Sequence, residues 1–264
     1  MTEKELRGKN PWIDVAKQYE GSEFLYSKSK EFVCDSDKGI IEDFNKSAKK
    51  ENEYKLNVPA YPWYGNPLKA NVIVLSLNPG YVEKESVIAK VIQYIPEEYT
   101  KGYTEHLRKI LTLDCEEFLP PKLGADNMTY RDLANLHQSW YWEDRLIKAF
   151  VNEETGPKFE DVNKKFAVIQ YIGYSSEKYA TLKKGIKLPS QEFTRQLIEY
   201  ILKNNPNAVF IVARNKSMWS NFLGSLWGEY KERFIESKDY LGQRFTKNIL
   251  GNDAYEKVIN AFKI

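Results

Sequence analysis

The sequence predicts an α/β protein built on a central four-stranded parallel sheet with helices on both faces, a three-layer α/β/α sandwich. Two observations lead there. Residues 71–77, Asn-Val-Ile-Val-Leu-Ser-Leu, form an apolar run rich in β-branched residues, which suits an interior strand covered on both faces. Three further strand-like stretches at 166–172, 208–213 and 232–237 follow it, separated by helical segments, and strands alternating with helices imply βαβ units and parallel pairing.

The first of these strands ends abruptly at Asn78-Pro79-Gly80. Proline cannot donate to a strand ladder and glycine accepts positive φ, so the chain must turn there. That places the Asn78 amide at the carboxyl edge of the sheet, the edge where open α/β folds bind ligands.

The remaining elements follow from local signals. Asn10-Pro11 reads as a helix start, opening a short helix to about residue 19. Asp35-Ser36-Asp37 starts another helix, with Ile40, Ile41 and Phe44 as its apolar face. Residues 46–55 are strongly polar and read as a solvated helix end or loop. Residues 59–67 carry three prolines and a glycine and read as an irregular loop, whose Trp63 either packs over the sheet or walls a site. Helices are expected at 86–94, from Pro96 to about Leu111, and over 129–150, where Leu133, Leu136, Trp140, Ile147 and Phe150 share a stripe. His106 and His137 read as packing residues. Pro189-Ser190 caps a helix that buries Phe193, Leu197, Ile198 and Ile201. A helix with Met218, Trp219 and Phe222 follows the third strand, and residues 253–262 form the closing helix. The whole chain reads as one domain, residues 1–55 being a helical extension on the 56–264 core.

Composition narrows the function classes. The 264 residues are 42% hydrophobic and 29% charged, which describes a globular chain with a substantial core. A net charge of +2 is too mild to imply nucleic acid by itself, so any such role needs a local basic surface. Cys34 and Cys115 are the only cysteines, too few for a four-thiolate cluster, and no metal or other cofactor is expected. The charged N-terminus has no apolar signal core and no apolar run approaches a membrane span, so the expectation is a soluble, cytoplasmic monomer with free thiols.

Ser76-Leu77-Asn78-Pro79-Gly80 resembles the first motif of the uracil-DNA glycosylase superfamily, which reads G-x-N-P-G in its mismatch-specific and single-strand-selective branches. The upstream Pro62-Trp63-Tyr64-Gly65-Asn66-Pro67 also resembles the superfamily, and the order of strands and helices matches its plan over residues 59–248. The resemblance implies a DNA partner, single-stranded or mismatched, and hydrolysis of the N-glycosidic bond of a deaminated or damaged base. Asn78 would position the attacking water. Ser76, Leu77, Pro79, Gly80, Tyr81, Tyr94, Tyr174 and Ser175 would border or stack the base.

The chain departs from that pattern in several places. Ser76 stands where the family has glycine, and the family's downstream phenylalanine is replaced by Lys90, Val91 and Ile92. The late motif is not recognisable; Gln243, Arg244 and Asn248 occupy its neighbourhood, and no histidine follows His137. Gly80 replaces the tyrosine of the uracil-restricted branch, which opens space for 5-substituted pyrimidines. Lys178, Lys183, Lys184 and Lys187 after the second strand, with Arg214 and Lys216 after the third, interleave with aromatics and suggest a backbone-binding surface together with Arg244 and Asn248. Two other functions fit less of the sequence: a catalytically silent relative that binds nucleic acid or a nucleotide, and an adenine methyltransferase, which lacks the glycine-rich turn for its methyl donor.

Overall fold

The computed structural model describes residues 1–19, 31–80, 97–119, 146–182, 185–238 and 245–264. In chain order these form α1 (Glu3–Arg7), α2 (Ile13–Lys17), α3 (Asp35–Asn45), β1 (Trp63–Tyr64), β2 (Val72–Ser76), α4 (Glu97–Leu111), α5 (Phe159–Lys165), β3 (Phe166–Gln170), α6 (Pro189–Asn204), β4 (Val209–Val212), α7 (Lys216–Leu223), α8 (Ser225–Glu229), β5 (Phe234–Glu236), α9 (Lys247–Leu250) and α10 (Asn252–Lys263). The expected helix at 86–94 and residues 129–145 of the long expected helix lie outside the described residues, as does His137. Leu146, Ile147 and Phe150, at the end of that expected helix, are buried but not α-helical.

The fold is α/β, with a mostly parallel sheet flanked by helices, but the sheet has five strands rather than four, in the order β1-β3-β2-β4-β5. β2 pairs in parallel with β4, from Val72 opposite Val209 to Leu75 opposite Val212, and β4 pairs in parallel with β5. The extra strand is β1, inside the stretch expected to be irregular. The Tyr61 N–H donates to the Gly173 carbonyl at 2.8 Å and the Gln170 N–H to the Pro62 carbonyl at 2.9 Å. One chain ascends as the other descends, so this edge runs antiparallel. Two prolines flank these residues, and a proline is tolerated only where no ladder donor is needed, at an edge.

β2 is interior, as its apolar run requires: Val72, Ile73, Val74 and Leu75 are all out of contact with water. The chain divides into two compact units. The second comprises residues 64–76, 115–169 and 199–264 and holds most of the sheet. One face of its strands presents Val72, Val74, Phe166, Val168, Val209 and Ile211 to Phe150, Phe245, Val258 and Phe262, forming one continuous apolar core. α5, which no sequence signal announced, contributes Val162 to this core. Arg233 is buried where β5 begins, and its guanidinium donates to the carbonyls of Leu202, Asn205 and Ala208 at 2.5–2.8 Å. The last turn of α6 and the turn after it are thereby closed by a side chain that has five donors to give.

The first unit comprises residues 1–63, 77–114 and 170–198. Its centre is aromatic. The Trp12 ring meets Trp63 edge-on at 6.5 Å and lies 5.3 Å from Tyr174, while Trp63 lies 5.9 Å from Phe193. Trp63 is fully buried, with its indole N–H on the Ile110 carbonyl, so it packs rather than lining an open site. α6 buries Phe193, Leu197 and Ile198 as its periodicity requires. On α3 the buried positions are Asp37 and Ile41, while Ile40 and Phe44 are only half-buried.

Gly173 sets how closely this aromatic cluster can approach the chain. A Cβ there would stand 2.8 and 2.9 Å from atoms of the Trp12 ring and 3.0 Å from the Pro62 Cα. Gly173→Ala should therefore lower unfolding free energy in urea by about 1–3 kcal/mol. Gly39→Ala on α3, where a Cβ meets nothing within 4 Å, should raise it by about 0.5–1 kcal/mol.

Candidate functional site

Beyond β2 the ladder hydrogen bonds continue for one more residue, the Ile172 N–H donating to the Leu77 carbonyl at 2.8 Å. At Asn78 a side chain takes over from the backbone. Its Nδ2 donates to Ser176 Oγ at 2.8 Å, to the Pro79 carbonyl at 3.0 Å and to the Tyr174 carbonyl at 3.4 Å. Two of these partners are carbonyl oxygens, which only accept, so the nitrogen must be the atom facing them. The Ser176 hydroxyl passes the chain on to the Lys178 carbonyl at 3.0 Å, and the Ser176 N–H donates to the Pro79 carbonyl at 3.3 Å. Gly80 and Ser176 form a parallel bridge. The turn after β2 and the loop after β3 are thus fastened together, and Asn78 Oδ1 keeps its acceptor capacity with no partner among the described residues.

The predicted site residues divide as follows. Asn78, Pro79 and Gly80 are brought together with Tyr174, Ser175 and Ser176 in the first unit. Leu77 and Pro79 are buried, Asn78 is half-buried and Gly80 is exposed. Ser175 is buried and gives its carbonyl to the Lys55 N–H at 2.8 Å. The sequence expectation has Tyr174 bordering or stacking the base, but the residue is 1% exposed and its ring packs against Trp12. Ser76, the last residue of β2, is buried in the second unit, where Arg214 is half-buried and Asn248 exposed. Lys187 is exposed in the first unit. Lys178 and Lys216 are each occupied by a carboxylate, Glu51 at 3.0 Å and Glu236 at 2.7 Å. Tyr81, Tyr94, Lys183, Lys184 and Arg244 lie outside the described residues.

Two side chains near this loop escaped the sequence reading. Gln170 ends β3 at 1% exposure, and neither Nε2 nor Oε1 has a hydrogen-bond partner among the described residues. A buried amide without partners costs roughly 1–3 kcal/mol, so this donor and acceptor call for a partner beyond the described side chains, a water molecule or a ligand. A polar residue closing an apolar strand was the available signal. Asp37 is 0% exposed. Its Oδ2 accepts from the Tyr174 hydroxyl at 2.8 Å and its Oδ1 from the Ser190 N–H at 3.0 Å, while the Cys34 N–H donates to the Tyr174 oxygen at 3.1 Å. Burial pushes the Asp37 carboxyl up from its ordinary range, against the pull of hydrogen bonds from Ser190 and Tyr174.

No described helix is long and apolar enough to cross a membrane. No protein-family model, no curated protein and no solved structure matches this chain.

The three acceptors around Nδ2 make asparagine and aspartate unequal at position 78. Asn78→Asp would set carboxylate oxygens against two carbonyls and should lower stability at neutral pH by about 1–3 kcal/mol. Because those carbonyls disfavour the charged form, the introduced carboxyl has a raised folded-state pKa. The deficit should shrink as pH falls through that value, which urea titrations at several pH values will read.

Proposed function

We propose that this chain is a divergent relative of the uracil-DNA glycosylase superfamily that releases a deaminated or damaged base from DNA by hydrolysing its N-glycosidic bond. The observation that carries the reading is the state of the Asn78 amide. Its nitrogen is committed to three acceptors, which holds the group still and leaves Oδ1 to accept a hydrogen bond from a water molecule. A neutral amide is too weak a base to take the proton, so it acts by orienting the water, whose oxygen bonds to the sugar carbon as the bond to the base breaks and whose proton passes to the departing base or to solvent. The barrier then falls mainly through stabilisation of an oxocarbenium-like sugar and of the charge gathering on the departing base. Gln170 supports the reading from the ligand side. Its unserved N–H and C=O are complementary to a nucleobase edge, where a carbonyl adjoins an N–H.

In this proposal the fold is the three-layer α/β/α arrangement of the superfamily, and the protein is a cytoplasmic monomer that needs no cofactor. Gly80 brings no side chain to the turn, so selectivity would rest on how readily a base leaves its stack, favouring mismatched, damaged or single-stranded DNA. Lys187 in the first unit, and Arg214 and Asn248 in the second, are the described residues proposed to meet phosphates. Lys183, Lys184 and Arg244 join them from outside the described residues. The second reading, a relative that binds nucleic acid or a nucleotide without cleaving it, is favoured by the same Nδ2 contacts, since a turn can use an asparagine amide purely as its cap.

The test is a panel of oligonucleotides carrying uracil, 5-substituted uracils and deaminated purines. Wild type should release at least one base, and Asn78→Ala should slow release by about a hundred-fold. Gly80→Tyr should narrow release to uracil, and Gln170→Leu should blunt discrimination between bases without loss of stability, since it removes an unserved amide. Binding without release selects the second reading, and neither binding nor release removes both.

The phosphate contacts are checked separately by the salt dependence of DNA binding. Neutralising Lys187 and Arg214 together should flatten the slope by about one to two counterions.

A further inference from the structure

We propose that Asp37 is a positioning residue for Asn78: its buried carboxylate fixes Tyr174, and the Tyr174 carbonyl in turn holds the Asn78 amide. The functional consequence rests on the reading of Asn78 given above; the coupling itself does not.

The geometry runs through a short series of contacts in the first unit. Asp37 Oδ2 takes the Tyr174 hydroxyl at 2.8 Å, and the Cys34 N–H holds the same phenol oxygen from another side at 3.1 Å. The Tyr174 ring, packed on Trp12, is left little freedom to swing. Four bonds away along the same residue, its carbonyl receives Asn78 Nδ2 at 3.4 Å, and two residues on Ser176 receives it at 2.8 Å. On the far side Asp37 Oδ1 accepts from Ser190 at 3.0 Å, in the first turn of the sixteen-residue α6, where unpaired N–H groups and the helix dipole favour a negative charge.

No cation pairs with Asp37 among the described salt bridges, so its ionised form is served by hydrogen-bond donors alone. Such a group is a poor choice for stability, because desolvation is only partly offset. The sign is explicit. With the folded-state carboxyl raised above its ordinary 3.8, the folded chain holds this proton more tightly than the unfolded one. The stability linked to Asp37 is therefore full below 3.8 and is lost as pH rises through the folded value. Retaining a charge that weakens the fold makes sense if the charge orients something.

The titratable groups facing Asp37 are the Tyr174 phenol, from the loop after β3, and the Cys34 thiol, which precedes α3. Burial pushes both upward, so both stay neutral across the range in which a carboxyl titrates. Asp35 of α3 and Asp14 of α2 act on the Cys34 thiol, and the Asp37 shift is set by burial, Ser190 and Tyr174. Protonation would give Asp37 a donor of its own and weaken the hydrogen bond that its Oδ2 takes from the Tyr174 hydroxyl, since a neutral carboxyl is a poorer acceptor than a carboxylate.

The experiment follows the Asn78 side-chain NH₂ resonances in ¹⁵N-labelled protein, identified by their loss in Asn78→Ala, between about pH 4 and 8. In wild type they should titrate with a single inflection. In Asp37→Asn and in Tyr174→Phe, which keeps the ring and removes the hydroxyl, that inflection should vanish and the resonances should sit at a displaced position. Asn78 resonances that ignore pH, or that titrate alike in wild type and Tyr174→Phe, overturn the proposal even if Asp37→Asn fails to fold. On any oligonucleotide that wild type cleaves, Asp37→Asn should lose roughly ten- to a hundred-fold in kcat with KM unchanged. A wild type that releases no base defeats the glycosylase reading, and the resonances still decide the coupling.

Discussion

Everything else in the sheet depends on the fact that β2 has no dry side left to spare. Its residues are shielded from water on both faces and its two edges adjoin β3 and β4, so each polar backbone group must find its partner in a neighbouring strand. That requirement fixes the strand's neighbours and its register. It also makes the place where the ladder stops consequential, because Pro79 removes a donor just where the backbone leaves the sheet. The Asn78 amide supplies further bonding from a side chain, and in doing so reinforces the backbone bridge between the turn after β2 and the loop after β3.

Three buried polar groups meet burial in three ways, and the contrast separates scaffolding from candidate function. Arg233 gives each of its three nitrogens a carbonyl acceptor and explains itself as the clasp of a helix end. Asp37 is served only by donors, which keeps its hydrogen bonds whole and its charge uncompensated. Gln170 is served by nothing among the described residues. The less of a buried group's bonding the described residues complete, the more of it is left for a further partner.

Much of this was legible in the residue order, and the omissions have physical causes. The strands β2, β3 and β4 and the helices α3, α6, α7 and α10 announced themselves because each carries a periodic apolar face or a proline start that local rules can read. β1 was hidden because it is two residues long and lies among prolines, where pairing is decided by a partner more than a hundred residues away rather than by propensity. α5, Phe-Glu-Asp-Val-Asn-Lys-Lys, buries chiefly Val162 and offers no stripe to detect. In the candidate site, Asn78 was found from its turn. Asp37 reads in the sequence as an ordinary acid in a helix's first turn, because the partners that bury it, Tyr174 and Ser190, are 137 and 153 positions distant.

The turn after α6 carries a consequence for anyone who wishes to divide or decorate this chain. Residues 205–207, Asn-Pro-Asn, are largely exposed and would pass for a convenient place to insert a tag or open the backbone. The Arg233 guanidinium grips both sides of that turn, and Asn205 Nδ2 reaches the Ala70 carbonyl at 3.2 Å and Asn71 Oδ1 at 3.0 Å. The turn is a junction where the approaches to β2, β4 and β5 are tied by one arginine and one asparagine. A fragment ending before residue 233 would carry three carbonyls with no guanidinium to receive, so the chain has no natural seam at its most inviting loop.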